Sequence, residues 1–160
     1  MSEPFATRPD MPGYKLLPAQ EGAGLLPWSW AEERLAASHN YWLSTTRPDG
    51  RPHATAVWAV WHEDLLYFSC AKSSRKARNL AAEPRCTVST ERADEAVILE
   101  GEAGWVEDAQ TLGPVWSAYN QKYDWKMDGQ PFVVLRPLVA FGFIEHADQF
   151  AGNATRWTFA

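Results

Sequence analysis

Residues 72–80, KSSRKARNL, place Lys72, Arg75, Lys76 and Arg78 within seven positions of a chain whose formal net charge is -5. If the serine pair opens a helix, two of these cations occupy its first turn. That end already carries partial positive charge and exposes N–H groups with no intrahelical acceptor. An anion bound among them resolves the conflict, so the pattern fits a phosphate site. Ser73 or Ser74 can cap the helix or turn a hydroxyl toward phosphate. Arg75 offers a planar bidentate fork and Lys76 a second charge. The plain alternative is a solvated basic face that pairs with carboxylates such as Glu83. No glycine-rich run precedes the lysine, so a P-loop is not present.

Other reactive side chains are more scattered. His39, His53, His62 and His146 have no neighbouring Cys, Asp or Glu at metal-ligand spacing, so no metal site is expected. Cys70 precedes the basic segment, where Lys72 would favour a thiolate, or it is simply a small residue packed at a strand end. No Ser, His, Asp order points to hydrolysis. Tyr119, Lys122, Tyr123 and Trp125 in YNQKYDWKMDG either close a substrate pocket or lay their rings over the sheet as a helix ends.

The elements that must position these groups can be read from periodicity. Residues 1–28 form an extended or loosely packed arm: five of the 11 prolines fall in its first 27 positions. A helix is predicted over 30–39, with Ser29 and Glu32 as a capping box. YWLSTTRPDGRPHATAVWAVW reads as two strands around the Pro48–Gly50 turn, and LLYFSCA as a third. Trp58 and Trp61 fall on opposite faces of the second strand by alternation, so one of them at most faces a ligand. A helix carries Ala77, Leu80 and Ala81 and ends at Pro84. RCTVSTE and AVILEGEAGWVE are further strands, and residues 108–123 a helix that Gly113 and Pro114 are expected to divide. PFVVLRPLVAFGFIE is a long strand with Pro137 at a break or an edge, and ATRWTFA a last short one. Six or seven strands with short connections imply antiparallel pairing, in a barrel or closed sheet with two or three outer helices. Residues 29–160 are read as a single domain.

Composition narrows the function classes. With 160 residues, 46% hydrophobic and 22% charged, one globular core is expected. An isoelectric point near 5.3 argues against nucleic-acid binding and leaves the basic cluster for a small anion. Two cysteines, no signal-like segment and no apolar run near ~20 residues point to a reducing compartment and away from a membrane; a cytoplasmic protein is expected. Nine tryptophans serve equally as core filling or as ligand walls.

The hairpin NYWLSTTRPDGRPHATAVWAVW, the strand LLYFSCA, then SSRKARNLAAEPRCTVS and EAVILEGEA resemble the pyridoxamine 5'-phosphate oxidase-like superfamily, closely over about residues 30–107 and loosely beyond. The resemblance implies a mainly β fold with flanking helices, a split β-barrel, that binds FMN or the deazaflavin F420. It also implies a homodimer with cofactor sites at the interface. The matching phosphate residues are Ser74, Arg75 and Lys76. The strand along the flavin ring matches His53, Ala54, Thr55, Ala56, Val57 and Trp58, and the end of the third strand matches Ser69 and Cys70.

Departures from the oxidases redirect the reading. Where they carry an arginine near the start of the second strand, this chain has His53 or Ala54. Glu95 and Ala96 replace an Arg–Gln pair whose Gln contacts the flavin. In place of a C-terminal Arg-x-His, Arg156 is followed by Trp157. Vitamin B6 oxidation is therefore not expected. The reading is hydride transfer between bound F420 or FMN and a small unsaturated or quinone-like substrate. Lys72 and Arg78, available for an acidic tail, and the missing Gln tilt the choice toward F420. A flavin or haem carrier on the same barrel, and a structural dimer with an empty site, are the competing readings.

Overall fold

The computed structural model describes residues 3–146 and 149–160, so the first two residues of the predicted arm lie outside the described residues. Among the described residues nine strands are present: β1 (Phe5–Thr7), β2 (Tyr41–Thr46), β3 (Pro52–Val57), β4 (Ala59–His62), β5 (Leu65–Phe68), β6 (Arg85–Thr90), β7 (Glu95–Val106), β8 (Phe132–Ile144) and β9 (Thr155–Thr158). The helices are α1 (Trp28–Ala37), α2 (Arg75–Ala82), α3 (Ala109–Tyr123) and α4 (Phe150–Asn153). Two strands exceed the predicted number because β1 forms within the arm and because the second predicted strand breaks at Trp58.

Every ladder is antiparallel, as short connections require. The order is β1-β9-β8-β7-β6-β2-β3, with β5 pairing both β8 and β4. No ladder joins β3 to β4 or β5; the circuit is completed only by the chain itself, through Trp58. The sheet is therefore not closed, and the barrel is split. The hairpin of β2 and β3 turns at Arg47–Arg51, where Gly50 adopts φ 82°, a left-handed conformation that suits glycine.

The long strand β8 runs through Pro137 without a break. Its register against β7 shifts by one between Glu100↔Val139 and Gly101↔Pro137, leaving Leu138 as the extra residue of a bulge. Gly101 faces this point because a Cβ there would lie 2.0 Å from the Arg136 carbonyl oxygen.

The main core lies between α1, α2 and the sheet, with Leu35, Leu43, Leu66, Leu99, Leu135 and Trp157 fully buried. Each such leucine contributes roughly 1.5–3 kcal/mol by leaving water. A second cluster joins α3 to β4, β5 and β8 through Leu112, Val115, Tyr119, Tyr123 and Phe132. Helix α3 is continuous through Gly113 and Pro114, contrary to the expected division. Asp108 caps it by accepting from Thr111 N at 2.8 Å. Helix α1 begins at Trp28 with Pro27 at its N-cap and no side-chain cap, so the Ser29–Glu32 box does not form. Ser29 lies inside the first turn, and burial of Trp28, Ala31 and Leu35 holds the helix instead.

Little of the arm is regular, but it is anchored. The Arg8 guanidinium donates to the carbonyls of Leu17, Gly24 and Glu21 within the arm, to Gly152 in α4 and to Ala154 just after it. Among the described residues no helix is long and apolar enough to cross a membrane.

Candidate functional site

Helix α2 starts at Arg75 because Ser74 takes extended N-cap angles and its hydroxyl accepts from Ala77 N at 3.3 Å. Arg75 and Lys76 are its first two residues, and no acidic residue lies in that turn. Their amides have no intrahelical acceptor. Among the described residues, Arg75, Lys76 and Arg78 form no ion pair. Glu83 turns instead to Arg85, with Nη2 and Oε2 2.6 Å apart. That contact holds the Glu83 carboxyl down at about 2. The basic face is thus not neutralised by the carboxylate that the plain alternative named.

The β2–β3 register sets which residues of β3 approach α2. Thr45 lies opposite His53, Leu43 opposite Thr55 and Tyr41 opposite Val57. Since Tyr41, Leu43 and Thr45 are buried, His53, Thr55 and Val57 share the inner face. Ala54 and Ala56 share the outer face with Ser44 and Trp42. Asn79 ties α2 to this hairpin by donating from Nδ2 to Thr45 Oγ1 at 3.0 Å. Thr45 Oγ1 in turn lies 3.5 Å from His53 Nδ1. Desolvation, then the charges of Arg47, Lys76 and Arg75, hold the His53 imidazole below its ordinary range. The start of β3 and the start of α2 therefore converge.

A groove of about 310 Å³ brings Ala56, Val57, Trp58, Ser69 and Lys76 together with Asn40 and Tyr119. A second hollow of about 430 Å³ shares Ser69 and adds Cys70, Lys72 and Met127. His53, Ala54 and Thr55 do not line either one. Strand β5 ends at Phe68, so Ser69 and Cys70 lie in the connection to α2 and not on the predicted strand. Lys72 directs its ammonium to Glu107, 2.5 Å away, over the Trp105 ring. The Cys70 thiol is pushed up by burial, which outweighs the pull of Ser74 and Lys76, so the low-pKa thiol does not form.

The YNQKYDWKMDG segment divides its residues between the groove and the sheet. Tyr119 lines the groove. Lys122 and Tyr123 instead brace the place where β3 gives way to β4. Lys122 Nζ donates to Tyr41 Oη at 2.8 Å and to the Ala59 carbonyl at 2.9 Å. Desolvation lowers this ammonium to about 8, partly offset by Glu91. Ala59 N donates to Tyr123 Oη at 2.9 Å, and the same hydroxyl donates to His39 O at 2.8 Å. Burial raises Tyr123 to about 12. Trp58 faces the groove while Trp61 packs on the core, edge to face with Trp28.

Asn40 was not among the sequence candidates. It stands one residue before β2, beside a predicted strand, with nothing in its own spacing to mark it. Glu95, which with Ala96 stands where the resemblance expects an Arg–Gln pair, accepts from the Arg34 guanidinium at 2.7 Å and serves α1. No cluster of three potential metal ligands occurs among the described residues.

The sheet order and the hairpin–α2 arrangement accord with a match of residues 30–144 to the model of the pyridoxamine 5'-phosphate oxidase family. The chain belongs to this family. Among solved structures with the fold of this family, an F420 reductase is 26% identical, with a TM-score of 0.57 over 68% of this chain and 94% of that one. General stress protein 26 from Bacillus anthracis is 19% identical, at TM-score 0.57 over 70% and 92%. A heme binding protein from Mycobacterium smegmatis is 20% identical, at TM-score 0.60 over 80% and 62%. No curated protein matches the sequence.

Proposed function

We propose that this chain is an oxidoreductase that binds F420 or FMN and exchanges hydride with a small conjugated organic substrate. The observation that carries this reading is the pair Arg75 and Lys76, free of carboxylate partners among the described residues, at the start of a capped helix beside the groove. Two cations, two unpaired amides and a nearby neutral imidazole are a donor set that fits phosphate. Arg75 and Lys76 hold that phosphate, the β3 backbone and Trp58 flank the ring, and Tyr119 with Asn40 limits water. When bound, the ring supplies the hydride chemistry, and these residues bind, orient and shield it.

F420 is favoured over FMN. Arg78, without an ion pair among the described residues, is available to its acidic tail, and one structural relative is named as an F420 reductase. Lys72 adds less than the sequence implied, being engaged by Glu107. The assembly that fits the reading is a homodimer with its sites at the interface, for which exposed Trp42, 52% accessible on the outer face beside Ala56, is a natural contact.

Calorimetric titration with F420 and FMN, on the wild type and on Arg75→Ala/Lys76→Ala, tests the reading. Binding that the double variant abolishes without unfolding is expected; unchanged affinity rejects the phosphate site. Cofactor retention without turnover across a panel of acceptors identifies a carrier, and native mass spectrometry reports the subunit count.

A further inference from the structure

Arg47 closes the turn between β2 and β3. Its N–H donates to the Arg51 carbonyl at 2.9 Å, and its own carbonyl accepts from Gly50 N at 2.8 Å. Buried Tyr41, Leu43 and Thr45 set the inner face of β2, and alternation carries that face on to Arg47. His53 lies opposite Thr45 in the ladder. Arg47, Thr45 and His53 therefore end the hairpin on the side where Asn79 of α2 bonds Thr45.

Four arginines are neutralised where they stand. Arg34 holds Glu95, Arg51 holds Asp49, Arg85 holds Glu83 and Arg92 holds Asp94, at 2.5–2.7 Å. Arg47 is half-buried, yet among the described residues its side chain forms no ion pair and no hydrogen bond. Asp49, on the same turn, is taken by Arg51 through Nε and Nη2, and Arg47 acts on it only from beyond ion-pair distance. Desolvation lowers the His53 imidazole most, and of the charges that add to this Arg47 comes first, ahead of Lys76 and Arg75. Three cations from two elements thus bear on one imidazole, and none of the three has a carboxylate partner. Like charges held together in this way repel, and a multiply charged anion between them offsets the repulsion.

We propose that Arg47 is a third phosphate-binding residue of the site, so that the anion is clamped between the β2–β3 turn and the start of α2. This rests on the oxidoreductase reading above and adds to it a residue from a second element. An arginine suits the position, because its planar fork can take two phosphate oxygens while Arg75 and Lys76 take the remainder. Arg51, across the turn, does not serve, since Asp49 already occupies its fork. The bound phosphate then joins at the surface the two elements that Asn79 and Thr45 join in the interior.

Calorimetric titration with FMN, F420 and riboflavin compares the wild type with Arg47→Ala, Arg47→Lys and Arg51→Ala. Arg47→Ala is expected to weaken the phosphate-bearing cofactor roughly tenfold to a hundredfold, the loss of one charge-assisted contact. Arg47→Lys keeps the charge without the fork and recovers part of that loss. Arg51→Ala removes the same charge from the same turn and stays within about threefold, as an exposed pair allows. Riboflavin, which lacks the phosphate, is bound alike by the wild type and Arg47→Ala. Unchanged FMN and F420 binding by Arg47→Ala overturns the proposal. So does an equal loss with riboflavin, which would make Arg47 a prop of the turn, or an equal loss in Arg51→Ala, which would make it part of a diffuse field. Failure of the wild type to bind either cofactor rejects the oxidoreductase reading alone. Inorganic phosphate titrated into the cofactor-free protein then still decides Arg47: its Nε–H resonance is expected to move together with that of Arg75. Movement of Arg75 alone, or of neither, overturns the proposal.

Discussion

Asn79 and Thr45, both buried, are joined by a 3.0 Å hydrogen bond from Nδ2 to Oγ1. This is the polar link between the helix that carries Arg75 and Lys76 and the hairpin that carries the groove. A short helix of eight residues has little stability of its own. Its position, and the aim of its first turn, depend on Leu80 in the core and on this bond.

Asn79→Ala is accordingly expected to lower stability by about 1–3 kcal/mol, the cost of losing a buried hydrogen bond and leaving its partner unmatched. Rebonding of Thr45 to His53, 3.5 Å away, would hold the loss toward the lower end; either way cofactor affinity falls with it, since the helix start moves. Urea unfolding at unchanged m-value, with cofactor titration, checks this. A loss of stability without any change in affinity would show that α2 is not positioned by Asn79.

His53 reports on the same helix. Its imidazole is held below the ordinary 6.5 by desolvation and then by Arg47, Lys76 and Arg75. An anion placed among those cations removes part of their repulsion of the imidazolium, so the pKa must rise. Proton NMR titration is expected to show an upward shift on adding FMN and a smaller one with inorganic phosphate. Riboflavin, which lacks the phosphate, should leave it in place; an equal shift with riboflavin would move the phosphate away from α2.

Much of this arrangement was legible in the sequence, and the reason is local. The β2–β3 hairpin was marked by Pro48, Asp49 and Gly50, and α2 by serines before an apolar repeat ending at Pro84. What was not legible depends on partners distant in sequence. Arg8 bonds backbone carbonyls as far away as Ala154, and carbonyls leave no trace in residue type. Trp58 looked like an ordinary strand position because its break is imposed by Tyr123 and Lys122, more than sixty positions on. Alternation along β3 puts His53 and Ala54 on opposite faces, but which of them turns inward is set by the register against β2, which residue types do not give.

Pro137, which suggests a break or an edge, is instead absorbed by a bulge at Leu138 facing Gly101. That solution requires the missing Cβ. Gly101→Ala would put a methyl 2.0 Å from the Arg136 carbonyl oxygen, with Pro137 Cα 3.0 Å away. Backbone must move in the two longest strands, and a loss on the order of 3 kcal/mol is expected, in the range of severe overpacking. Thermal unfolding measures it. Gly104→Ala, at a position with open space, is the control and should change stability little.

Lys122 gives a pH dependence with a definite sign. Its folded pKa, about 8, lies below the ordinary 10.5 because burial disfavours the ammonium. Between those values the unfolded chain binds more protons than the folded one, so stability attributable to Lys122 rises with pH across that window. It is fully present above about 10.5 and is lost as pH falls through about 8. Lys122→Met deletes the titration along with the hydrogen bonds to Tyr41 and Ala59. Urea unfolding of both proteins from pH 7 to 10.5 is expected to show the wild type gaining on the variant as pH increases. Groups common to both proteins cancel in the difference. A difference that stays flat across the window would mean that the ammonium is hydrated in the folded state and that Lys122 does not carry a buried charge beneath Trp58.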